Sequence, residues 1–510
     1  MSDLKKDRNR GLASLPLFNY SAKRKLERLG VVDVGSNSVR LVVFDGAARS
    51  PAYFFNEKIL CGLGAGLAQT GKLNPEGRAR ALVALKRFVL LAKGMGAEPL
   101  FSVATAAVRE ASDGPEFCEE VAAATGLKLN VASGKEEARL SAQGVLLGWP
   151  EAKGIMCDIG GSSMELAEIR KGKVGECATS GLGPLLLAPL QAEGTLEVEI
   201  KARVKQLRKK FKGKHKTLFL VGGSWRAIAR LDMERCEYPL KVLHEYSMAP
   251  QALLETVDWI ETHSVEELRT LSGASRERMN LVPIAGLVLR ELVQQFDPER
   301  IAISSYGIRE GLLYEQMPKA LRARDPLIEA CIHMERASAR IPGFGKVLNG
   351  FLRPLFSDQG PERRRLVRAA CLLHDVTWRA HPDYRAEVCF DNATRANLGG
   401  LDHKERVFLG TALLHRYKNP TGASSFSKVI DLLSDEDRKE AKILGKAMRF
   451  GAMLNGATEN MMCKLKYHRD TKTLELILQP QARDLFGEVV LVRFESLAKA
   501  MGCTTKLTVA

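Results

Sequence analysis

Two stretches of this chain repeat one another. Residues 30–46, GVVDVGSNSVRLVVFDG, and residues 155–173, IMCDIGGSSMELAEIRKGK, each read as an apolar strand ending in an aspartate, a turn of small residues and a second strand. Asp33, Gly35, Ser38 and Leu41 align with Asp158, Gly160, Ser163 and Leu166 at an offset of 125 residues. A strand–turn–strand unit repeated at the spacing of a domain points to duplication of a whole lobe. Between the copies, helical spacing of apolar residues runs from Pro75 to Ala92, from Pro115 to Thr125 and from Lys135 to Leu147, while PLFSVATAAVRE reads as a strand entering a turn and LKLNVAS (127–133) as a strand. The second half repeats the mixture: strand, glycine turn and helix in TLFLVGGSWRAIARL (217–231), one long helix from Glu277 to Gln295, the strand RIAISS and the turn YGIREG. Strands alternating with helices predict α/β lobes.

Beyond about residue 318 the texture changes. Residues 320–460 are helical in pattern and rich in arginine, and 464–510 read as a hairpin, a helix and a last strand. A chain of 510 residues exceeds one core. The division expected is a basic flexible tail (1–28), lobe I (29–148), lobe II (149–318), a helical domain (319–460) and a small α+β module (461–510).

The formal charge of +16 suits a polyanionic partner, whether nucleic acid, an anionic membrane or a phosphate chain. The densest basic run lies between Lys201 and Lys216. Lys209, Lys210 and Lys212, with Arg363, Arg364 and Arg365 further on, are the candidate polyanion track; the competing reading is a solvated helix face. No apolar run reaches the roughly 18 residues of a membrane span, and the basic start lacks the apolar core of a signal peptide. The ten cysteines are scattered singly with no C-x-x-C pair, which argues against a disulfide framework or a zinc site and for a reducing, cytoplasmic setting.

Three small-residue turns follow strands: Ser36-Asn37-Ser38 after Gly35, Gly160-Gly161-Ser162-Ser163, and Gly222-Gly223-Ser224. Small residues let several backbone N–H groups converge on one phosphate. One such turn is more often a tight connection, but three, two of them duplicated behind an aspartate, predict a phosphate-binding cleft. Asp33 and Asp158, at strand ends beside these turns, suit a Mg²⁺ held by one or two carboxylates, waters and phosphate oxygens. Capping of the turn is the alternative role for each.

VVDVGSNSVRLVV, ATAAVRE, ASGKEEARL, CDIGGSSMEL, VGGSWRAIA and SSYGIREG, in this order, resemble the exopolyphosphatase and guanosine pentaphosphate phosphatase family, within the sugar kinase, heat-shock protein and actin superfamily, over about residues 30–316. The resemblance implies an α/β fold of two duplicated actin-like (ribonuclease H-like) lobes, then an HD-like all-helical domain and a small α+β C-terminal module. It implies Mg²⁺-dependent release of orthophosphate from the end of inorganic polyphosphate, with Mn²⁺ as the alternative ion, K⁺ as a further cation left open, and a homodimer. By motif, Glu137 matches the family's catalytic base, Glu165 its second catalytic acid near the metal, Asp158 its metal-proximal aspartate and Arg109 the arginine that contacts phosphate. No G-x-x-x-x-G-K-[ST] loop or G-x-S-x-G serine is present, which favours direct attack by water. Taken alone, Glu136 and Glu137 also read as acids favoured by a helix start.

Guanosine pentaphosphate is the alternative substrate of the same chemistry, and a non-catalytic polyphosphate or alarmone sensor is the alternative of another class. A superfamily kinase stands third, and a nucleic-acid binder last, since no binding motif accompanies the charge. The sequence departs from the family at GGSS, where three glycines and a serine are usual; at Asn280, where many members carry aspartate; and at Trp225-Arg226, where a bulky indole is expected to disfavour a nucleotide. His374-Asp375, with His333, His403 and His415, is similar to the metal set of HD-type phosphohydrolases, but ILGKAMRFGAMLNG lacks the last aspartate. A scaffold presenting Arg363, Arg364, Arg365 and Arg368 to a long anion is the expectation there.

Overall fold

The computed structural model describes residues 28–46, 49–418, 426–455 and 462–510. The basic tail expected at 1–28 lies outside the described residues except for Arg28. The chain divides into two compact units, one reaching to Ala323 and the other running from Arg324 to Ala510. Among the described residues no helix is long and apolar enough to cross a membrane.

In the first unit, β1 (Leu29–Val34), β2 (Ser38–Phe44) and β3 (Tyr53–Leu60) form an antiparallel meander, and β4 (Leu100–Ala104) joins β1 in parallel. β5 (Gly154–Ile159), β6 (Met164–Arg170) and β7 (Lys173–Ser180) repeat the meander, and β8 (Thr217–Gly222) takes the parallel place beside β5. The second sheet continues through β9 (Ser247–Met248) and β10 (Arg300–Ile303) in the order β7-β6-β5-β8-β10-β9. The register repeats with the topology: Asp33 stands opposite Arg40, and Asp158 opposite Glu165, each aspartate one residue from its strand end.

Both faces of β1 are buried, which is why it reads as a nearly unbroken apolar run. The pleat divides it: Val31 joins a cluster with Val42, Phe44 and the helix Gly134–Gly148, while Val32 and Val34 join Val39, Leu41, Val43 and the helix Pro75–Gly94. The first of these clusters also contains Met156, Ala167, Ile169, Phe219 and Val221 from the second sheet, together with Leu312 and Leu313 of the helix Ile308–Gln316. The helices Gly134–Gly148 and Ile308–Gln316 cross closely. A Cβ on Gly144 would overlap the Gly307 carbonyl, and one on Gly311 the Leu140 carbonyl.

Three local expectations are corrected. Residues 127–133 contribute only a single bridge, Val131 to Ala104, because the Ser102 hydroxyl takes part of the ladder: it donates to the Lys128 carbonyl at 2.5 Å and accepts from the Asn130 amide at 3.3 Å. The long helix is broken into Arg276–Met279 and Val282–Phe296, with Pro283 in the first turn of the second part, where its missing N–H is tolerated. In YGIREG, Gly307 caps a helix that begins at Ile308, and its amide donates to Glu310 Oε2 at 2.7 Å.

Among its described residues between Pro326 and Asn455 the second unit is helical, with Pro326–Ser338, Pro361–Leu373, Arg385–Arg395, His403–Tyr417 and Asp435–Asn455 as its longer elements. It closes with the hairpin β11 (Cys463–His468) and β12 (Thr473–Leu478), the helix Glu488–Met501 and β13 (Thr504–Val509) parallel to β12.

Gly144→Ala is expected to lower stability by about 1–3 kcal/mol through overpacking at the helix crossing, read as a lower midpoint of urea unfolding with an unchanged slope.

Candidate active site

The two duplicated turns fold alike. Gly35 donates to the Ser38 carbonyl at 3.0 Å and Gly160 to the Ser163 carbonyl at 2.9 Å, so each turn closes on itself after its strand-end aspartate. Their outer carbonyls are held from neighbouring loops: Ser36 O by Gly64 N at 2.8 Å, Asn37 O by the Cys61 and Gly62 amides at 3.0 Å each, and Gly161 O by Leu185 N at 2.8 Å. The turns also meet, with Ser36 Oγ 3.2 Å from Ser162 Oγ. The serine that departs from the usual glycine therefore takes part in the contact between the loops. The third turn opens the helix Gly223–Arg235, and Gly222 sits at φ 115°, ψ 166°, where a side chain would run into the Ile159 carbonyl. Ser224 follows within the first helical turn, whose free N–H groups favour an anion.

The acids converge on these turns. Ser133 and Glu136 form a reciprocal capping box: Ser133 N and Oγ donate to Glu136 Oε2 at 2.9 and 2.8 Å, and Glu136 N donates back to Ser133 Oγ. Those bonds hold the Glu136 carboxyl below its usual pKa. Glu136 thus takes the helix-start role, and Glu137 turns inward to Arg109, whose Nη1 donates to Glu137 Oε2 at 3.0 Å and to the Ala132 carbonyl at 3.0 Å. Burial pushes Glu137 up to about 7, against the pull of Arg109 and with a further push from Asp158 and Asp33. One turn along the same helix face, Ser141 Oγ donates to Asp158 Oδ2 at 2.5 Å. Glu165, 1% exposed on β6, accepts from Thr179 Oγ1 at 3.0 Å, and burial followed by repulsion from Glu137 raises its pKa well above normal. Burial also raises Asp158 and Asp33.

Arg309 is the main counter-charge on the other side, its Nη1 donating to Asp33 Oδ2 at 3.0 Å. Arg40, across the strand pair from Asp33, lies in its field. Arg226 donates to the Ser305 carbonyl at 3.2 Å and is pushed down to about 10 by burial and by Arg309. Lys58 is lowered by burial and then by Arg278, Arg40, Arg309 and Arg226. Sequence reasoning left all of these, and Ser141, out of the site. Two were readable: Arg309 lies in the quoted YGIREG, and a hairpin closed by Val34 and Val39 puts Arg40 opposite Asp33.

Asp33 and Asp158 with Glu165 are hard oxygen donors, raised above their usual pKa first by burial, against the pull of Arg309 and Arg40 at Asp33 and of Ser141 and Arg226 at Asp158. That donor set fits one Mg²⁺ held by one or two carboxylates. Among the described residues no group of three or more His, Cys, Asp or Glu is disposed to hold a metal, in the cleft or around His374.

Several expectations are corrected. Trp225 is 0% exposed in the core of the second sheet and does not stand in the path of a nucleotide. Arg365 is buried, with Nε and Nη2 on Asp325 at 2.6 and 3.0 Å and Nη2 on the Gly400 carbonyl, so it faces no solvent-borne chain. Arg363 is paired with Asp437 and Glu440 and stacks on Phe408; Arg364 is exposed. Lys209, Lys210 and Lys212 are exposed at the end of the helix Leu196–Lys210, where cations complement the helix dipole. Asn280 is exposed at a helix C-cap.

Comparison with known proteins agrees with this geometry. The model described as the Ppx/GppA phosphatase family matches residues 42–320, and one described as exopolyphosphatase, C-terminal, matches 351–508. Retrograde regulation protein 2 of Saccharomyces cerevisiae is 24% identical over 473 residues, 81% of this chain and 77% of that protein. Exopolyphosphatase 1 of Mycobacterium leprae is 25% identical over 303 residues, 57% of this chain and 89% of that protein. The crystal structure of an exopolyphosphatase from Cytophaga hutchinsonii shares the fold at a TM-score of 0.52 and 22% identity, over 56% of this chain and 96% of that one. With more than half its length under one family description, this chain belongs to the Ppx/GppA phosphatase family.

Proposed function

We propose that the cleft hydrolyses the terminal phosphoanhydride of inorganic polyphosphate and releases orthophosphate. The observation that carries this reading is the division of labour at the start of one helix: Glu136 is consumed by the cap, while Glu137 is buried, paired with Arg109 and pushed up to about 7. A base with that pKa is matched to proton transfer near neutral pH. In the proposed reaction the Glu137 carboxylate takes a proton from a water as the water oxygen bonds to the terminal phosphorus, and the bridging oxygen leaves with the shortened chain. Arg109 and the N–H groups of the three turns hold the phosphoryl oxygens. Asp158, with Asp33 or Glu165, would hold Mg²⁺, which would supply positive charge to the phosphate oxygens. The names of the mycobacterial and Cytophaga relatives support polyphosphate as substrate.

A second reading has its own support. With Trp225 in the core, nothing at the third turn argues against a nucleotide, so guanosine pentaphosphate fits the same chemistry. The yeast relative spanning most of the chain carries a regulatory name, which supports the sensor reading. Glu137, Glu165, Asp158 and Arg109 together in one cleft favour catalysis over it.

Glu137→Gln is expected to lower kcat on the order of 10²–10⁴-fold while leaving the Kd for polyphosphate within a few-fold; Glu136→Ala, which removes the capping-box partner of Ser133, is expected to cost stability and little activity. Because the base works deprotonated, kcat/KM is expected to rise about tenfold per pH unit below pH 7 and to level off above it. Arg109 pulls the pKa of Glu137 down, so Arg109→Ala moves that limb to higher pH. A pH profile that is flat from 5 to 8 would contradict Glu137 as the base.

A further inference from the structure

The helical unit holds a buried guanidinium that, among the described residues, makes no ion pair; Asp375 acts on it only through its field. Arg416, in the last turn of the helix His403–Tyr417, is 7% exposed. Among the described residues its guanidinium makes no ion pair, its Nε has no hydrogen-bond partner, and it stands over the Tyr417 ring, 4.7 Å from Cζ to centroid. Arg385 stands over the same ring at 5.6 Å; its Nη2 donates to the Ala380 carbonyl at 3.2 Å, and its Nε is buried without a partner. Two guanidinium groups therefore share one aromatic ring at the foot of two helices.

The carboxylate nearby is already taken. Asp375 accepts from Arg340 three times, from its backbone N at 3.3 Å, its Nε at 2.8 Å and its Nη2 at 2.6 Å. An arginine thus sits on the His-Asp pair that an HD-type enzyme would give to a metal. The other groups around Arg416 are neutral. His374 Nδ1 bonds the Cys371 carbonyl, and burial pushes its pKa down to about 4. The Cys389 thiol bonds the Thr377 hydroxyl, and burial pushes it up to about 11. Tyr417 OH donates to the His374 carbonyl at 2.8 Å. Arg449 adds positive charge from the next helix, its pKa lowered by burial and by Arg493 and Arg416. Asp375 is thus held by Arg340 and lies in the field of Arg416, while Arg449 adds a further positive charge near Arg416. A desolvated charge without a partner is costly, and a planar guanidinium fork matches the edge of a tetrahedral oxyanion.

We propose that Arg416, flanked by Arg385 and Arg340, is a binding site for a phosphate group in the helical unit, at the position where an HD-type fold would hold metal. The ligand is either free orthophosphate or the terminal phosphate of a nucleotide; the chemistry of recognition is the same. The site does not depend on the cleft reaction being the proposed one.

The test is hydrogen exchange of the full chain with inorganic phosphate, guanosine diphosphate or chloride alone, reading segments 374–390 and 410–418 against the cleft segments 33–38 and 158–163. Phosphate is expected to slow exchange in both helical segments. Arg416→Met is expected to abolish that protection while protection of the cleft segments remains. In phosphate-free buffer the same variant should melt at a higher temperature than the wild type, since it removes an unneutralised charge, and should gain less from added phosphate. Arg385→Met, at a less buried position, is the second variant and should weaken the protection by tenfold or more in phosphate concentration. Protection by orthophosphate alone assigns the site to the free ion, and protection by the diphosphate as well assigns it to a phosphate group. No protection of 374–390 and 410–418 by either ligand, or protection that survives both substitutions, would overturn the proposal.

Discussion

Four carboxylates, Asp33, Glu137, Asp158 and Glu165, are buried in one recessed site, and burial first raises the cost of ionising each, with repulsion from Asp158 and Asp33 added at Glu137 and from Glu137 at Glu165. Like charges in a low-dielectric cleft repel strongly. The arrangement persists because the duplicated strand ends fix two of the acids, a helix cap fixes the direction of the third, and the antiparallel register fixes the fourth. Arg309 on Asp33 and Arg109 on Glu137 offset part of the repulsion. What remains uncompensated is what the proposed function draws on: a buried glutamate near neutral pKa and oxygen donors suited to a divalent cation.

The cations opposite are equally crowded. Arg226, Lys58 and Arg278 are all lowered by burial and by their cationic neighbours. The proposed anionic substrate would offer these cations a counter-charge. The Ser36–Ser162 contact puts two hydroxyls where the duplicated turns come together.

Much of this was legible before the structure. The two-fold repeat of strand, aspartate and small turn dictated the duplicated meander, and the acids of the motifs are the ones that converge. What the sequence hid was partnership. Nothing in EE at 136–137 says which glutamate caps and which turns inward; that depends on Ser133 reaching Glu136. The indole of Trp225 reads as a wall of the cleft because it follows a glycine turn, yet the helix that begins at Gly223 rotates it into the core. In the run RRR at 363–365 the three side chains fan out around a helix, so Arg364 is exposed, Arg363 is paired with acids and Arg365 is buried on Asp325. The strand expected at 127–133 was lost to a single hydroxyl, that of Ser102.

The central claim is that this cleft is built for the end of a phosphate chain. Its most direct test is orthophosphate release by the full-length protein with Mg²⁺, comparing long-chain polyphosphate, guanosine pentaphosphate and ATP at equal concentration of terminal phosphate. The account predicts release from polyphosphate faster than from either nucleotide. Release from none of the three, by folded protein that still binds polyphosphate, would contradict it.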